Sequence, residues 1–299
     1  MDWEFISQEE KDCEQIVRPS MTYWQDVWRR LKANKVAMGG LIFLVFLILL
    51  AIIGPMLSRY SYSDQNLALA NQGPSSKHWF GTDKHGRDLF VRVLYGARIS
   101  LTVGIVASII NLVVGVLYGG ISGYLGGKVD NIMMRIVDIL STIPLTLYVI
   151  LLMVVIGSGL KSILIAIGSV YWLSMARIVR GQILSLKEQE YVLAAKTLGA
   201  SGMRIILRHL IPNAMGPIIV TMTMSIPSAI FTEAFLSFIG LGVSAPQASW
   251  GVLASDALGS IRVYPYQLFF PALAISVTML AFNFLGDGLR DALDPRMRK

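Results

Sequence analysis

Residues 190–213 read EYVLAAKTLGASGMRIILRHLIPN, a polar and basic stretch between two long apolar runs. A short helix is predicted at its start, where Ala194 and Ala195 carry almost no side chain and would let a partner approach the backbone. Gly199 ends this helix, because glycine readily adopts the left-handed conformation that follows a helix. A second, amphipathic helix follows and stops at Pro212; its apolar face is formed by Ile205, Ile206, His209 and Leu210. The stretch therefore predicts a docking surface between two spans.

The composition indicates a polytopic membrane protein. Of 299 residues, 54% are hydrophobic and only 15% are charged, and the mean hydropathy is +0.60. A membrane-spanning helix needs about 20 predominantly apolar residues. Six such runs occur, near residues 36–57, 99–120, 137–157, 162–176, 215–239 and 268–285. We therefore predict an all-α protein with six transmembrane helices, with five as the alternative because the fourth run is short and contains two serines.

The distribution of Lys and Arg predicts the orientation in the membrane. If the N-terminus faces the cytoplasm, 18 of the 26 basic residues lie inside and 8 lie outside, in agreement with the positive-inside rule. Six of the external eight fall in the loop between Arg59 and Arg98, and long loops follow the rule weakly. We expect a multi-pass protein of the cell membrane, with both termini and the 190–213 loop in the cytoplasm.

The leader, residues 1–35, is mostly polar, so no cleavable signal peptide is expected before the first span. It contains one amphipathic helix, whose apolar face is formed by Met21, Trp24, Val27, Trp28 and Leu31. Basic residues lie beside this face, a pattern typical of a helix that lies at the membrane surface and contacts lipid. The alternative interpretation is a charged flank that only anchors the topology.

Metal, nucleotide and redox sites are not expected on this chain. The single Cys13 excludes a disulfide, and His78, His85 and His209 are too few and too dispersed for a metal cage. The only Gly-Lys pair, at Lys128, lacks the first glycine and the hydroxyl residue of a phosphate-binding loop. We expect no enzyme activity and no cofactor, so any energy source is a partner or a gradient. The net charge of +7 is explained by anionic lipid, and no nucleic-acid partner is needed.

Two acidic residues lie within the apolar runs, where a charge is costly. We interpret Asp138 as a structural ion pair with Arg135, one turn away. Glu233 follows Ser228 and Thr232 in a run rich in hydroxyl residues, and these three are a candidate cavity or gate along a transport path. A hydrogen bond between helices is an equal alternative for Glu233.

The spacing Ala194-Ala195-x3-Gly199, followed by an apolar helix and Pro212, resembles the EAA loop of type I ABC importer permeases. Two positions depart from that pattern: Leu193 stands in place of the name-giving Glu, and His209 replaces an apolar residue. The departure at Leu193 puts in doubt any ion pair that the Glu would make with an ATPase.

Four further segments resemble the C-type subunit of dipeptide and oligopeptide importers. They occur in the order expected for that subgroup: HWFGTDKHGRDLFVRVLYGARISL from residue 78, MRIVDILSTIPLTL from 134, FTEAFLSFIGLGVSAPQASWG from 231 and FNFLGDGLRDALDP from 282. The resemblance extends from about Lys35 to the C-terminus. The chain is therefore identified as a member of the dipeptide and oligopeptide ABC permease family.

This resemblance implies a type I permease fold and an alternating-access importer in a bacterial cytoplasmic membrane. The implied divisions are the leader 1–35, the first helix and external loop 36–96, the type I core 97–287 with its coupling loop, and a cytoplasmic tail 288–299. The loop would dock on an ATPase through Glu190, Tyr191, Leu193, Ala194, Ala195, Lys196, Gly199, Arg208 and Pro212. The implied partners are a second, B-type permease, two ATPases that bind ATP and Mg, and an extracytoplasmic peptide-binding protein.

Alternative functions remain open at this point. Related subunits are associated with nickel, glutathione or opines, so the same mechanism with another cargo is the first alternative to peptide import. A gradient-driven secondary transporter or channel would place its function in Glu233 and Asp138 instead. A membrane scaffold without transport activity would tolerate charge changes in the 190–213 loop.

Overall fold

The computed structural model describes residues 21–243 and 246–294, so the expectation for Cys13 lies outside the described residues. Within these ranges the chain is helical, with one isolated bridge between Thr82 and Asp88. The helices are α1 (Tyr23–Ala33), α2 (Lys35–Leu57), α3 (Leu89–Leu125), α4 (Gly127–Thr142), α5 (Leu145–Ile156), α6 (Leu160–Leu186), α7 (Glu190–Thr197), α8 (Gly202–Ile205), α9 (Ile211–Asn213), α10 (Met215–Phe238), α11 (Trp250–Ala257) and α12 (Tyr266–Leu293). A π-helical segment, Ile206–Leu210, connects α8 to α9.

Five helices, α2, α3, α6, α10 and α12, are long and apolar enough to cross a membrane, and α4 with α5 adds a broken sixth span. The two halves of that span are bent by 82°. Pro144 explains the break, because a proline disfavours the helical conformation of the residue before it, and Ile143 is extended. The all-α prediction is confirmed. The fourth run, predicted as 162–176, belongs to a 27-residue helix that extends well beyond it.

Helices α3 and α6 form the centre of the molecule through a stripe of glycines. Gly115, Gly119 and Gly123 are four residues apart on α3 and all face α6. A Cβ at Gly115 would lie 2.5 Å from the Met175 Cβ, and one at Gly119 would overlap the Ala176 carbonyl oxygen. Small residues at this spacing let two helices approach closely inside a membrane.

The first span is fastened to the core at a proline. Pro55 lies inside α2 and has no N–H, so the Ala51 carbonyl lacks its usual helical donor. Arg98 of α3 supplies the missing donors: its Nε lies 2.5 Å from the Ala51 oxygen, and its Nη2 lies 2.5 Å from the Ile52 oxygen. The Arg98 guanidinium of α3 thus donates to the α2 carbonyl that Pro55 leaves without a helical donor.

Helix α1 packs partly on the protein itself. Its Val27 and Leu31 are buried in a cluster with Leu293 of α12, whereas Trp24 and Trp28 are exposed. The apolar face predicted from the sequence is therefore divided between the chain's own last span and the surroundings.

The short helix α11 packs against α3, α10 and α12. Trp250 at its start is fully buried, and its indole Nε1 donates to the Val93 carbonyl of α3 at 2.9 Å. Gly96 permits this approach, because a Cβ there would lie 3.1 Å from the Trp250 ring. The segment before α3 forms tight turns at Gly81 and Gly86, both with positive φ.

Candidate coupling surface and polar cavity

Helix α7 presents most of its side chains to the outside. Within α7, Val192 is fully buried and Ala195 is half-buried, and the other residues named by the sequence pattern are exposed. These exposed residues are Glu190, Tyr191, Leu193, Ala194 and Lys196. The predicted docking residues thus form one face, although Ala195 belongs partly to the support beneath it.

Gly199 ends α7 in a Schellman motif. Its φ is +79°, the left-handed region that glycine adopts without a steric penalty. The amide of Gly199 donates to the Lys196 carbonyl at 2.9 Å, and the amide of Ala200 donates to the Ala195 carbonyl at 3.0 Å. These two bonds satisfy carbonyls that the helix end would leave unpaired. Directly before the glycine, Leu198 is 88% exposed and forms the tip of the loop.

The second half of the loop is a π-bulge rather than one regular amphipathic helix. The predicted apolar face is present, since Ile205, Ile206 and Leu210 are buried and His209 is half-buried. Pro212 has no backbone N–H, and the π-helical segment ends at Leu210, one residue before Ile211 and Pro212 continue the helix. Such bulges are frequent at functional sites. Arg208 and Pro212 are exposed on the outer side.

The coupling loop rests on a core that includes the spans. Val192, Ile205, Ile206 and Leu210 form one cluster together with side chains from three transmembrane helices. Those side chains are Val116 of α3, Met175, Val179 and Ile183 of α6, and Ile218 of α10. Because packed cores deform little, α7 and these three helices form one packed unit.

A partly buried ion pair braces the same end of the bundle. Arg180 of α6 makes two hydrogen bonds of 2.5 Å to the carboxylate of Asp130 on α4, and the Ser122 hydroxyl of α3 donates to it at 2.6 Å. Lys187 donates to the Gly123 carbonyl at 3.1 Å. Sequence analysis missed this brace, because Asp130 and Arg180 are 50 residues apart and no local spacing connects them.

The ion pair predicted for Asp138 named the wrong partner. Its carboxylate pairs with Arg177 of α6 at 3.1 Å, and Arg135 on its own helix forms no ion pair with the described residues. The same Arg177 nitrogen donates to the Ser141 hydroxyl at 2.8 Å. The interhelical partner is not visible from helical spacing.

Glu233 lies in a closed network of hydroxyl groups. The residue is fully buried, and its carboxylate accepts hydrogen bonds from Ser100 of α3 at 2.8 Å and from Ser237 at 2.7 Å. The Ser249 hydroxyl in turn donates to Ser237 at 3.2 Å. This arrangement is the interhelical hydrogen bond that was the alternative interpretation, and Glu233 does not line the cavity described next.

A polar cavity of about 460 Å³ lies between α3, α6 and α10 and reaches Arg290 of α12. Ser228 lines it beside Tyr171, whose hydroxyl group hydrogen-bonds to Thr232 at 2.7 Å. Asn111 also lines the cavity and is only 2% exposed, yet its Oδ1 accepts no hydrogen bond from any described group. The sequence pattern named Ser228 and Thr232, but it missed Asn111 and Tyr171, which come from other helices.

Two family descriptions match the chain. "Binding-protein-dependent transport system inner membrane component" matches residues 115–299, which include residues 190–213 and all the cavity-lining residues named above except Asn111. "N-terminal TM domain of oligopeptide transport permease C" matches residues 22–74, which include α1 and α2. Together they cover both ends of the described fold.

Full-length relatives have related names. The oligopeptide transport system permease protein OppC of Bacillus subtilis is 57% identical over 96% of this chain and 94% of the relative. The dipeptide transport system permease protein DppC of the same organism is 55% identical over 100% of this chain and 94% of the relative. OppC of Escherichia coli K12 is 49% identical over 97% of this chain and 96% of the relative. An inward-facing MetNI methionine ABC transporter structure shares the fold, with a TM-score of 0.57 and 19% identity, over 69% of this chain and 98% of that one.

Proposed function

Because this chain belongs to the family of binding-protein-dependent transport system inner membrane components, in its oligopeptide and dipeptide permease C branch, we propose that it moves peptides into the cytoplasm. It is one permease subunit of an ATP-driven importer that works by alternating access. The near full-length similarity to permeases named for oligopeptides and dipeptides supports this cargo.

The observation that carries the proposal is the exposed helix α7 on a buried base. Its outer face is exposed, with Lys196 over the Tyr124 ring at its edge, whereas Val192 beneath it belongs to the cluster shared by α3, α6 and α10. An ATPase docked on that face would move three spans together. A shift of the gate from 1:99 to 99:1 requires a bias of about 5.5 kcal/mol, which a rigid packed connection can transmit.

The docking residues follow from exposure. We assign Glu190, Tyr191, Leu193, Ala194, Lys196, Arg208 and Pro212 to the ATPase contact, Gly199 to the turn and Ala195 to the support. Leu198 is added to this set, because an exposed leucine at a loop tip fits an apolar groove of a partner.

The remaining parts of the importer are proposed as partners. They are a second, B-type permease, two ATPases that hold ATP and Mg, an extracytoplasmic peptide-binding protein, and membrane lipid around α1. Both termini and the coupling loop lie in the cytoplasm in this arrangement, with the divisions 1–35, 36–96, 97–287 and 288–299. This chain itself is a conduit and transducer without a cofactor of its own.

The cavity at Asn111 is proposed as the part of the transport path that this subunit contributes. Most of its polar lining, from Asn111, Tyr171, Ser225 and Ser228, is uncharged, and Arg290 adds one positive charge at its edge. Neutral hydrogen-bonding groups suit a peptide backbone, which is the same in every peptide, so a lining of this kind accepts cargo of varied sequence. Glu233 then acts as a tie between α3 and α10 rather than as a gate.

Reconstitution with the purified partners tests the proposal. The tagged chain is expected to co-purify with a second permease and two ATPases, and the complex in liposomes should accumulate peptide only with ATP. Nickel complexes or glutathione transported in place of peptide would change the cargo and keep the mechanism. Transport by the chain alone, driven by an ion gradient, would refute the proposal.

A variant pair then tests the coupling face. Ala194→Asp places a charge on the exposed side of α7, and we expect loss of ATP-driven uptake at normal membrane abundance. Gly73→Asp is the matched control, because Gly73 lies in the external loop and no atom lies within 4 Å of a Cβ there. Equal uptake by both variants would refute the assignment of this face.

A further inference from the structure

A groove of about 560 Å³ lies at the external end of α2, away from the coupling surface and the polar cavity. Its floor is apolar and is formed by Leu50 and Leu57 of α2 and by Phe90 of α3. Its rim carries Arg59, Lys77 and Trp79 from the external segment. The transport mechanism assigns no task to this groove.

The two basic residues of the rim differ from their neighbours. Six Lys and Arg residues occur between residues 58 and 98. Four of them have partners: Lys84 pairs with Asp256, Arg87 and Arg92 pair with Asp83, and Arg98 donates to carbonyls of α2. Arg59 and Lys77 have no ion pair and no hydrogen bond to any part of the chain that is described. The two unpaired cations of this segment therefore lie at one groove.

The rim carries two cations, and the one carboxylate that lines the groove is held by other groups. Asp88 lines the groove, but its Oδ2 lies 2.8 Å from the His78 Nδ1, and its Oδ1 accepts from the Val91 amide at 2.9 Å. Both oxygens are therefore engaged away from Arg59 and Lys77. The groove keeps an excess of positive charge at its rim.

The groove lies at the depth where lipid headgroups meet acyl chains. The apolar run of α2 ends at Leu57, which is 79% exposed, and the polar external segment begins at Ser58. Trp79 is 62% exposed and packs on Phe90 with ring centroids 4.9 Å apart. Tryptophan at this position is typical of the membrane–water interface.

We propose that this groove binds one anionic phospholipid. Its phosphate lies between Arg59 and Lys77, and the upper part of one acyl chain lies on Leu57 and Phe90. The charge matches a phosphate, and the apolar floor matches a chain that a soluble partner does not carry. The bound lipid fastens the free end of α2 to the external segment, which precedes α3.

Native mass spectrometry of the assembled complex in lipid nanodiscs tests this site. Nanodiscs that contain phosphatidylglycerol and phosphatidylcholine in equal amounts should leave one phosphatidylglycerol per chain on the wild type. The variant Arg59→Gln with Lys77→Gln should bind it roughly 30-fold more weakly, the change expected for two cations near an anionic surface. The control is Lys161→Gln with Arg262→Gln, which removes two exposed basic residues without ion pairs among the described residues.

Further arms separate the proposal from its alternatives. Arg59→Lys with Lys77→Arg keeps both charges and should retain the lipid, and excess inorganic phosphate should not displace it. If the Gln variant fails to assemble, the wild type alone still tests the proposal, because it should retain phosphatidylglycerol in preference to phosphatidylcholine. Equal binding of the two lipids by the wild type, or equal retention in the Gln variant and its control, would overturn the proposal. Ser76 lines the groove. If the variant Ser76→Cys forms a cross-link to the second permease, a protein covers the groove instead of a lipid, and the proposal is overturned.

Discussion

The left-handed turn at Gly199 is predicted to set the position of the proposed docking face, so a substitution there tests the proposal. The residue has φ of +79°, and no atom lies within 4 Å of the place where a Cβ would be. An alanine at this position therefore meets no neighbour, and its only cost is the backbone strain of an L-residue in the left-handed conformation. This separates the geometry of the turn from the packing around it.

The magnitude follows from that strain. A non-glycine residue in the left-handed conformation costs roughly 1–2 kcal/mol, and relaxation to another conformation would break the two hydrogen bonds that end α7. If the undocked loop of Gly199→Ala relaxes and docking restores the left-handed turn, this strain corresponds to an affinity for the ATPase that is about 5- to 30-fold lower. Gly199→Asn should lose much less, because asparagine tolerates this conformation.

The assay is titration of the purified ATPase against the permease pair in nanodiscs, followed by ATP-driven peptide uptake in liposomes. Gly181→Ala is the matched control. It makes the same chemical change on α6, at an exposed helical position where a Cβ also meets nothing within 4 Å. We expect its affinity and uptake to equal those of the wild type.

One result would refute the reasoning. If Gly199→Ala and Gly199→Asn bind the ATPase as tightly as Gly181→Ala, the left-handed turn does not position the docking face. Lower uptake with unchanged ATPase affinity would also contradict it, because the strain is predicted to act on docking.

Three further predictions concern the core, the cavity and the external loop. Gly119→Ala should lower the thermal stability of the purified protein by about 1–3 kcal/mol through overpacking against Ala176, whereas Gly39→Ala, with nothing within 4 Å, should not. Asn111→Leu should reduce peptide uptake about fivefold, which corresponds to the loss of one hydrogen bond of ~1 kcal/mol. It should also raise the melting temperature, because it removes a buried acceptor without a partner. A fall in both uptake and melting temperature would contradict a role of Asn111 in the transport path. Burial alone would raise the pKa of Asp83, but Arg92 and Arg87 outweigh it and hold the pKa below its ordinary value of 3.8. The stability difference between wild type and Asp83→Asn should therefore stay constant above about pH 5 and shrink as the pH falls below 3.8, as melting curves across this range would show.

Several features of the fold were predictable because they depend on short stretches of sequence. The length of an apolar run sets whether a helix can cross the membrane, so the spans were found, including the weak fourth. Gly199 was identified as a helix end, because glycine favours the left-handed turn that the structure has there. The break at Pro144 was not predicted, although a proline inside a run is a visible local signal.

The candidate site was predictable only in part. The exposed face of α7 follows from a local pattern, and Val192 as its buried anchor follows from helical periodicity once the core side is known. The cavity is different, because Asn111 and Tyr171 come from two helices and Ser228 from a third. Sequence reasoning found only the hydroxyl residues that lie close together on α10.

The sequence by itself determined which segments are apolar enough to span a membrane and that Gly199 ends a helix. Only the tertiary structure decided the partners of the charged and polar groups inside the bundle. Three contacts join residues that are far apart in sequence: Asp130 and Arg180 are separated by 50 positions, Asp138 and Arg177 by 39, and Glu233 and Ser100 by 133. Helical periodicity relates only residues within a few turns of one helix, so contacts between helices depend on how the glycine stripe of α3 and the broken third span let the bundle pack.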